Sequence, residues 1–333
     1  MILNPAIIAL LGGSLLVSGL ALYASWIGIR VIRHWDLRSG SEQQLLLERK
    51  TYLVSTIFSY LLVFEFLSLF LFIYTAEHIH DLFVGAMCAA GSLDANGYGY
   101  VTLLAKMLTF LLCGVWMILN YTDNKGSDYP LIRHKYKLLL SVTGALVLET
   151  WLQYRYFTGL RADVITSCCG TLFSVDTDSI AGDLASLPSY GTKIGFYLGV
   201  AMAVRAGIHF LATGRAAGLF SLLAAVASFL SMAAVVSFVS VHYYELPTHH
   251  CPFCLLQGEY RFIGYPLYLS LLLAAVTGVG VGAVERVKGP ASLQAVIPGF
   301  QKKLALVSMA AFLVFTALAT YPMVFSNFVL EGY

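Results

Sequence analysis

The stretch GYPLYLSLLLAAVTGVGVGAV, residues 264–284, contains no charged side chain. A hydrocarbon layer takes about 20 helical residues to cross, so this run reads as one membrane span. Seven more runs of the same kind lie near 6–32, 52–76, 101–120, 137–158, 192–212, 217–243 and 304–328. The expected fold class is therefore all-α: a polytopic transmembrane bundle of about eight helices forming one domain. Composition points the same way. Of 333 residues, 59% are hydrophobic and 11% charged, with a mean hydropathy of +0.78. Soluble domains carry about 25% charged residues; with so few here, most of the surface must face lipid. The net charge is +2 and no basic tract carries interleaved aromatics, so nucleic acid is not an expected partner. The first run follows no basic segment and is too long for the apolar part of a signal peptide, which makes it a retained helix.

Lys and Arg near membrane ends are held on the cytoplasmic side. The connections after the first, third, fifth and seventh runs hold Arg30, Arg33, Arg38, Arg49, Lys50, Lys125, Arg133, Lys135, Lys137, Arg215, Arg286, Lys288, Lys302 and Lys303. Those after the second, fourth and sixth hold only Arg155, Arg161, Lys193 and Arg261, alongside nine acidic residues from Glu77 to Glu259. The second set, about 77–100, 159–191 and 244–263, is expected outside, and so are both termini. The compartment this implies is the cytoplasmic membrane of a prokaryote, with three structured loops on its outer face.

Five of the six cysteines then fall outside: Cys88 in the first outer loop, Cys168 and Cys169 in the second, Cys251 and Cys254 in the third. Cys113, in mid-helix, reads as a small core residue. Thiols in an oxidising compartment become disulfides, metal ligands or redox centres. Cys251-Pro252-Phe253-Cys254 stands just ahead of the seventh run, where a helix N-terminus is expected to stabilise a thiolate. His250 beside it is placed to stabilise that thiolate or carry its proton. Three readings fit the motif: a redox pair, two ligands of a metal site, or a disulfide staple.

The residues Cys251-Pro252-Phe253-Cys254-Leu255-Leu256-Gln257, with Tyr260-Arg261 and Tyr265-Pro266-Leu267, resemble the motif of the DsbB-type disulfide bond formation proteins. In this chain Gly258 and Glu259 stand between the glutamine and Tyr260-Arg261. The order of cysteines, with loop cysteines ahead of the motif, is similar to that of vitamin K epoxide reductase homologues. The resemblance implies a membrane thiol:disulfide oxidoreductase that relays electrons between an extracytoplasmic thiol protein of thioredoxin fold and a membrane quinone. It implies that Cys254 faces the quinone, that Cys251 is the exchange thiol, and that Arg261, with Gln257 nearby, lies on the quinone side. The expected redox set is Cys88, Cys168, Cys169, Cys251 and Cys254, with His250.

Cys168 and Cys169 are neighbours in sequence, and the short distance between adjacent Cα atoms, about 3.8 Å, suits a disulfide between them poorly. Different partners are expected for each. Five outer cysteines cannot all pair with one another, so one is free, metal-bound or joined to another protein. The alternative function is therefore a transporter or cofactor-assembly factor for a soft metal such as copper or mercury, with Cys168, Cys169, Cys251, Cys254 and His249 as ligands. A third is an accessory subunit whose cysteines are staples. Within the membrane, ionisable groups need partners; Glu65 with Lys106 and Glu149 with Arg205 are the expected pairs from their depths. His78, His80, His242, His249 and His250 are expected near the outer face, where proton handling or ligation would use them.

Overall fold

The structure is a computed structural model that describes residues 3–36, 39–126, 128–161, 164–166, 187–328 and 330. Among the described residues eight long helices follow one another: α1 Pro5–His34, α2 Glu42–His78, α3 Gly99–Asp123, α4 Ile132–Thr158, α5 Ser189–Thr213, α6 Ala217–Tyr244, α7 Gly264–Glu285 and α8 Ile297–Phe325. Among the described residues there is no strand, only an isolated parallel bridge between Val84 and Ile165. Local chemistry marks the ends. Asn4 accepts a hydrogen bond from the Ala6 amide at 2.9 Å, with Pro5 at the first helical position of α1. Gly214, in left-handed backbone, closes α5.

Seven of the eight helices are long and apolar enough to cross a membrane. The exception is α4, which corresponds to the run 137–158. Several of its polar side chains are turned onto α1. Gln153 donates to the Leu10 carbonyl at 3.1 Å and to Ser14 at 3.0 Å; Ser18 meets Thr150 at 2.7 Å; Ser25 meets Thr143 at 2.7 Å; and Arg133 donates to the Trp35 carbonyl at 2.9 Å. As α1 advances its partners on α4 recede, so the two helices are antiparallel and in register over nearly their whole length. Inter-helix hydroxyl and amide bonds of this kind hold helices together where no hydrophobic effect operates between them.

The helices form two compact units. The first comprises Met1–His78, Ala95–Ala162 and Arg286–Ile297, and so contains α1 to α4. Here α1 packs on α4 and α2, while α3 packs on α4 and α2. Val17, Ala21, Phe58, Cys113, Trp116 and Tyr136 belong to its apolar core, which gives Cys113 the packing role expected of it. The second comprises Ile79–Asp94, Asp163–Glu285 and Pro298–Tyr333. Its central helix is α6, against α5 and α7. Gly278 is required there, because a Cβ at that position would stand 2.6 Å from the Ala224 methyl and 2.9 Å from the Ser308 hydroxyl. Near its end α6 widens into a π turn, Val235–Val239, the kind of register shift that often accompanies a functional site.

The buried ions pair differently from the sequence expectation. Lys106 takes two buried carboxylates: its Nζ lies 2.6 Å from Glu149 Oε1 and 3.8 Å from Glu65 Oε1, and donates to the Ser68 hydroxyl at 3.0 Å. Ser68 in turn donates to Glu65 at 2.8 Å, and Thr109 donates to Glu149. Arg205 is not the partner of Glu149. It is on α5, in the second unit, with an exposed side chain. The reason is adjacency: α3 packs against both α2 and α4, so one lysine reaches two acids. Lys135, counted above as a loop cation, is also buried, 2.7 Å from Asp123 Oδ2 and bonded to Asn120 at 3.1 Å.

Removing one member of a buried ionic cluster leaves the others uncompensated, at a cost of about 3–5 kcal/mol. Lys106→Met is expected to lower the thermal unfolding midpoint of the detergent-solubilised protein steeply. Arg205→Ala, measured in the same way, is expected to leave it within experimental scatter.

Candidate functional site

The site is assembled in the second unit from two loop segments and the ends of two helices. The first segment, Ile79–Asp94, contains a 3-10 turn at His80–Leu82, an extended stretch through Val84, and the short helix Ala89–Asp94. Gly85 has φ +87, and a Cβ there would collide with the Thr166 carbonyl, so this turn needs glycine. The Thr166 amide donates to the Val84 carbonyl at 2.9 Å. The approach to Cys168 thus lies beside the segment that bears Cys88. Cys168 and Cys169 themselves are outside the described residues.

The second segment runs from Glu245 to Ile263. α6 ends at Tyr244, with Glu245 in left-handed backbone. The chain then passes through Cys251 and Pro252 into two 3-10 turns, Cys254–Leu256 and Gly258–Tyr260. Two phenols hold the motif in place. Tyr244 donates to the Cys251 carbonyl and Tyr268, on α7, to the Pro252 carbonyl, each at 2.5 Å. Gln257 joins the two segments, donating to the Met87 carbonyl at 2.9 Å, one residue before Cys88.

This construction brings three sulfurs together. Cys88 Sγ lies 3.6 Å from Cys251 Sγ, and the sulfurs of Cys88, Cys251 and Cys254 all lie within 4.8 Å of one another. They are 0%, 1% and 6% exposed, so bulk water does not reach the first two. His249 Nε2 lies 3.4 Å from Cys254 Sγ, while the His249 ring meets Tyr244 edge to face, with centroids 4.6 Å apart. His250 is adjacent to Cys251 in sequence but turns its Nδ1 to the Val236 carbonyl, 3.0 Å away in the π turn of α6. The ring at a sulfur is that of His249.

The motif does not start a helix. α7 begins at Gly264, ten residues beyond Cys254. Between them Arg261 and Phe262 both adopt left-handed backbone, with φ 55 and 56, a conformation that side-chain-bearing residues seldom take in succession. A helix terminus therefore does not lower the thiol pKa. Instead, the Cys251 thiol is pushed well above its ordinary value, first by its hydrogen bond with Cys254, against the opposing effect of the bond with Cys88, and further by burial. In its reduced form, Cys251 is a protonated thiol.

The other expected residues have distinct places. Arg261 is exposed at the lip of the segment and Gln257 ties the two segments. His242 bonds the Phe238 carbonyl at 2.7 Å, His78 lies 3.0 Å from the Tyr74 carbonyl, and His80 lies 3.1 Å from Asp81. Tyr244 and Tyr268 were not singled out in the sequence. Their only signal was position, at the ends of the apolar runs flanking the motif, where tyrosine is ordinarily read as an interfacial anchor. No protein family, no curated protein and no solved structure matches the chain.

Thiol modification of the reduced protein by a small methanethiosulfonate gives a direct check. The rate at Cys251 is expected to be still rising above pH 9, beyond the ordinary thiol value of about 8.5. A half-maximal rate at or below that value would contradict the environment described.

Proposed function

We propose that the chain is a membrane thiol:disulfide oxidoreductase in which Cys88, Cys251 and Cys254 form one exchange centre. The observation that supports this reading is the 3.6 Å separation of Cys88 and Cys251, with Cys254 in the same buried cluster. Cys251 is shared. It can bond to Cys254 within the motif or to Cys88 across the two segments, which is the arrangement a relay requires.

The Cys88 thiolate attacks Cys251 Sγ of a Cys251–Cys254 disulfide; the Cys88–Cys251 bond forms, the Cys251–Cys254 bond breaks, and Cys254 leaves as a thiolate beside His249, which holds its proton. A second thiol, from Cys168, Cys169 or an external thiol protein, then attacks Cys88 and frees Cys251 as a thiol. The other thiol of the external dithiol then attacks the sulfur bonded to Cys88 and Cys88 leaves as a thiol, so the external dithiol has become a disulfide and Cys251 and Cys254 hold its two electrons and two protons. A quinone, when bound, would accept both. Residues near Cys254 suit such a ring: Leu255 and Leu256 are buried behind it, while Phe262 and Arg261 stand exposed beyond the turn. The same steps run in reverse if the partner is to be reduced.

The topology in this reading has eight crossings with both termini outside, in a prokaryotic cytoplasmic membrane. α4 is counted as a span because it lies antiparallel and in register along α1. The outer placement of the cysteine loops rests on the Lys and Arg distribution.

Disulfide trapping tests the centre. In Cys254→Ser, mild oxidation in native membranes is expected to yield a Cys88–Cys251 disulfide as the main product, seen by peptide mass mapping. Quantitative alkylation of both thiols after oxidation would contradict the relay. One observation favours a second reading. Three sulfurs within 4.8 Å of one another, with an imidazole nitrogen 3.4 Å from one of them, also form a donor set for a soft metal such as copper(I) or mercury(II). Stoichiometric metal in the purified protein, lost in Cys251→Ser, would select that reading.

A further inference from the structure

In the first unit, where α1 finishes and α2 begins, the structure contains a cleft of about 350 Å³ lined by Ile27, Arg30 and His34 of α1 and by Gln43, Leu46, Leu47 and Lys50 of α2. Its lining is divided by chemistry. Arg30 and Lys50 supply cationic donors, His34 an imidazole and Gln43 an amide, whereas Ile27, Leu46 and Leu47 supply an apolar wall. No acidic side chain is among the seven. The nearby Glu48 accepts a hydrogen bond from Gln44 at 2.9 Å instead.

The depth of the cleft is marked independently. The Arg30 guanidinium lies over the Trp26 ring, 3.8 Å from its centroid, and Trp26 pairs with Tyr23 at 6.1 Å. Tyr23, Trp26 and, on α2, Tyr52 are all exposed. Exposed Trp and Tyr on membrane-crossing helices sit at the headgroup level. The cationic side of the cleft is therefore where lipid phosphates lie, and its apolar side is continuous with the acyl region.

We infer that this cleft is a binding site for one anionic phospholipid, whose phosphate is held by Arg30, Lys50 and His34 while the start of an acyl chain lies along Ile27, Leu46 and Leu47. Arginine offers a planar fork that matches two phosphate oxygens, and lysine a point charge. Basic recesses between membrane helices bind anionic headgroups by this chemistry. A free phosphate would meet the same cations but leave the apolar wall exposed, so the lipid is the better fit. The volume is that of a small-molecule site.

Native mass spectrometry of the detergent-solubilised full chain, titrated with phosphatidylglycerol or phosphatidylcholine, tests the inference. One phosphatidylglycerol is expected to bind in preference to phosphatidylcholine, and excess inorganic phosphate is not expected to displace it. Arg30→Gln and Lys50→Gln, made singly, should each weaken it about tenfold or more, the effect of losing a charge-assisted bond, while Arg33→Gln, outside the lining, leaves it unchanged. Equal binding of the two lipids, displacement by inorganic phosphate, or equal losses in all three variants would each overturn it. Should one variant fail to fold, the other and the lipid comparison on the unaltered protein still decide the matter.

Discussion

Two phenol hydroxyls fix the Cys251–Cys254 turn from either side, one from the last residue of α6 and one from the second turn of α7. Each bond contributes about 0.5–1.5 kcal/mol by itself, but their placement matters more than their strength. The 3-10 turn that begins at Cys254 occupies the Phe253 and Cys254 carbonyls with the Leu256 and Gln257 amides, and the phenols take those of Cys251 and Pro252. With Tyr244 and Tyr268 in place, Cys251 is held at a defined point, and Gln257 then secures the first segment so that Cys88 meets it.

Much of the fold was legible because hydrocarbon is a demanding solvent. Backbone groups in it must bond within their own segment, so long apolar runs become helices, and the runs 6–32 through 304–328 all correspond to helices of the structure. What hydropathy does not encode is which helix touches which. Glu149 was assigned to Arg205 because the two residues lie at similar depth. Depth is a one-dimensional quantity, whereas pairing depends on α3 lying against both α2 and α4. The polar face of α4 was also invisible as a face: Thr143, Thr150 and Gln153 dilute its apolarity in sequence and only in the packed unit prove to be its bonds to α1.

At the site, the spacing of Cys251 and Cys254 and the loop position of Cys88 singled out the three cysteines whose sulfurs the structure brings together. The choice between His249 and His250 turned on a single residue of backbone rotation, set by the π turn that presents the Val236 carbonyl to His250. Nor did any residue announce that the motif would be separated from α7. Arg261 and Phe262 in left-handed backbone create that break, and neither is a residue that normally signals one. Its consequence is chemical: Cys251 lies among sulfurs and apolar groups rather than at a helix terminus, and is a protonated thiol when reduced. A thiol whose pKa is raised is slow to initiate exchange, which leaves initiation to Cys88 or to a thiol beyond it.

The proposed reaction passes electrons through Cys251 and Cys254 to a membrane acceptor. The most direct measurement is the absorbance change of a water-soluble ubiquinone analogue mixed with the purified protein and a dithiol peptide in detergent. Quinol should form in proportion to peptide disulfide, and Cys251→Ser and Cys254→Ser should each abolish it while Cys113→Ser leaves it intact. Quinol formation that survives the loss of either motif cysteine, or none with the unaltered protein whichever way the couple is driven, would contradict the account.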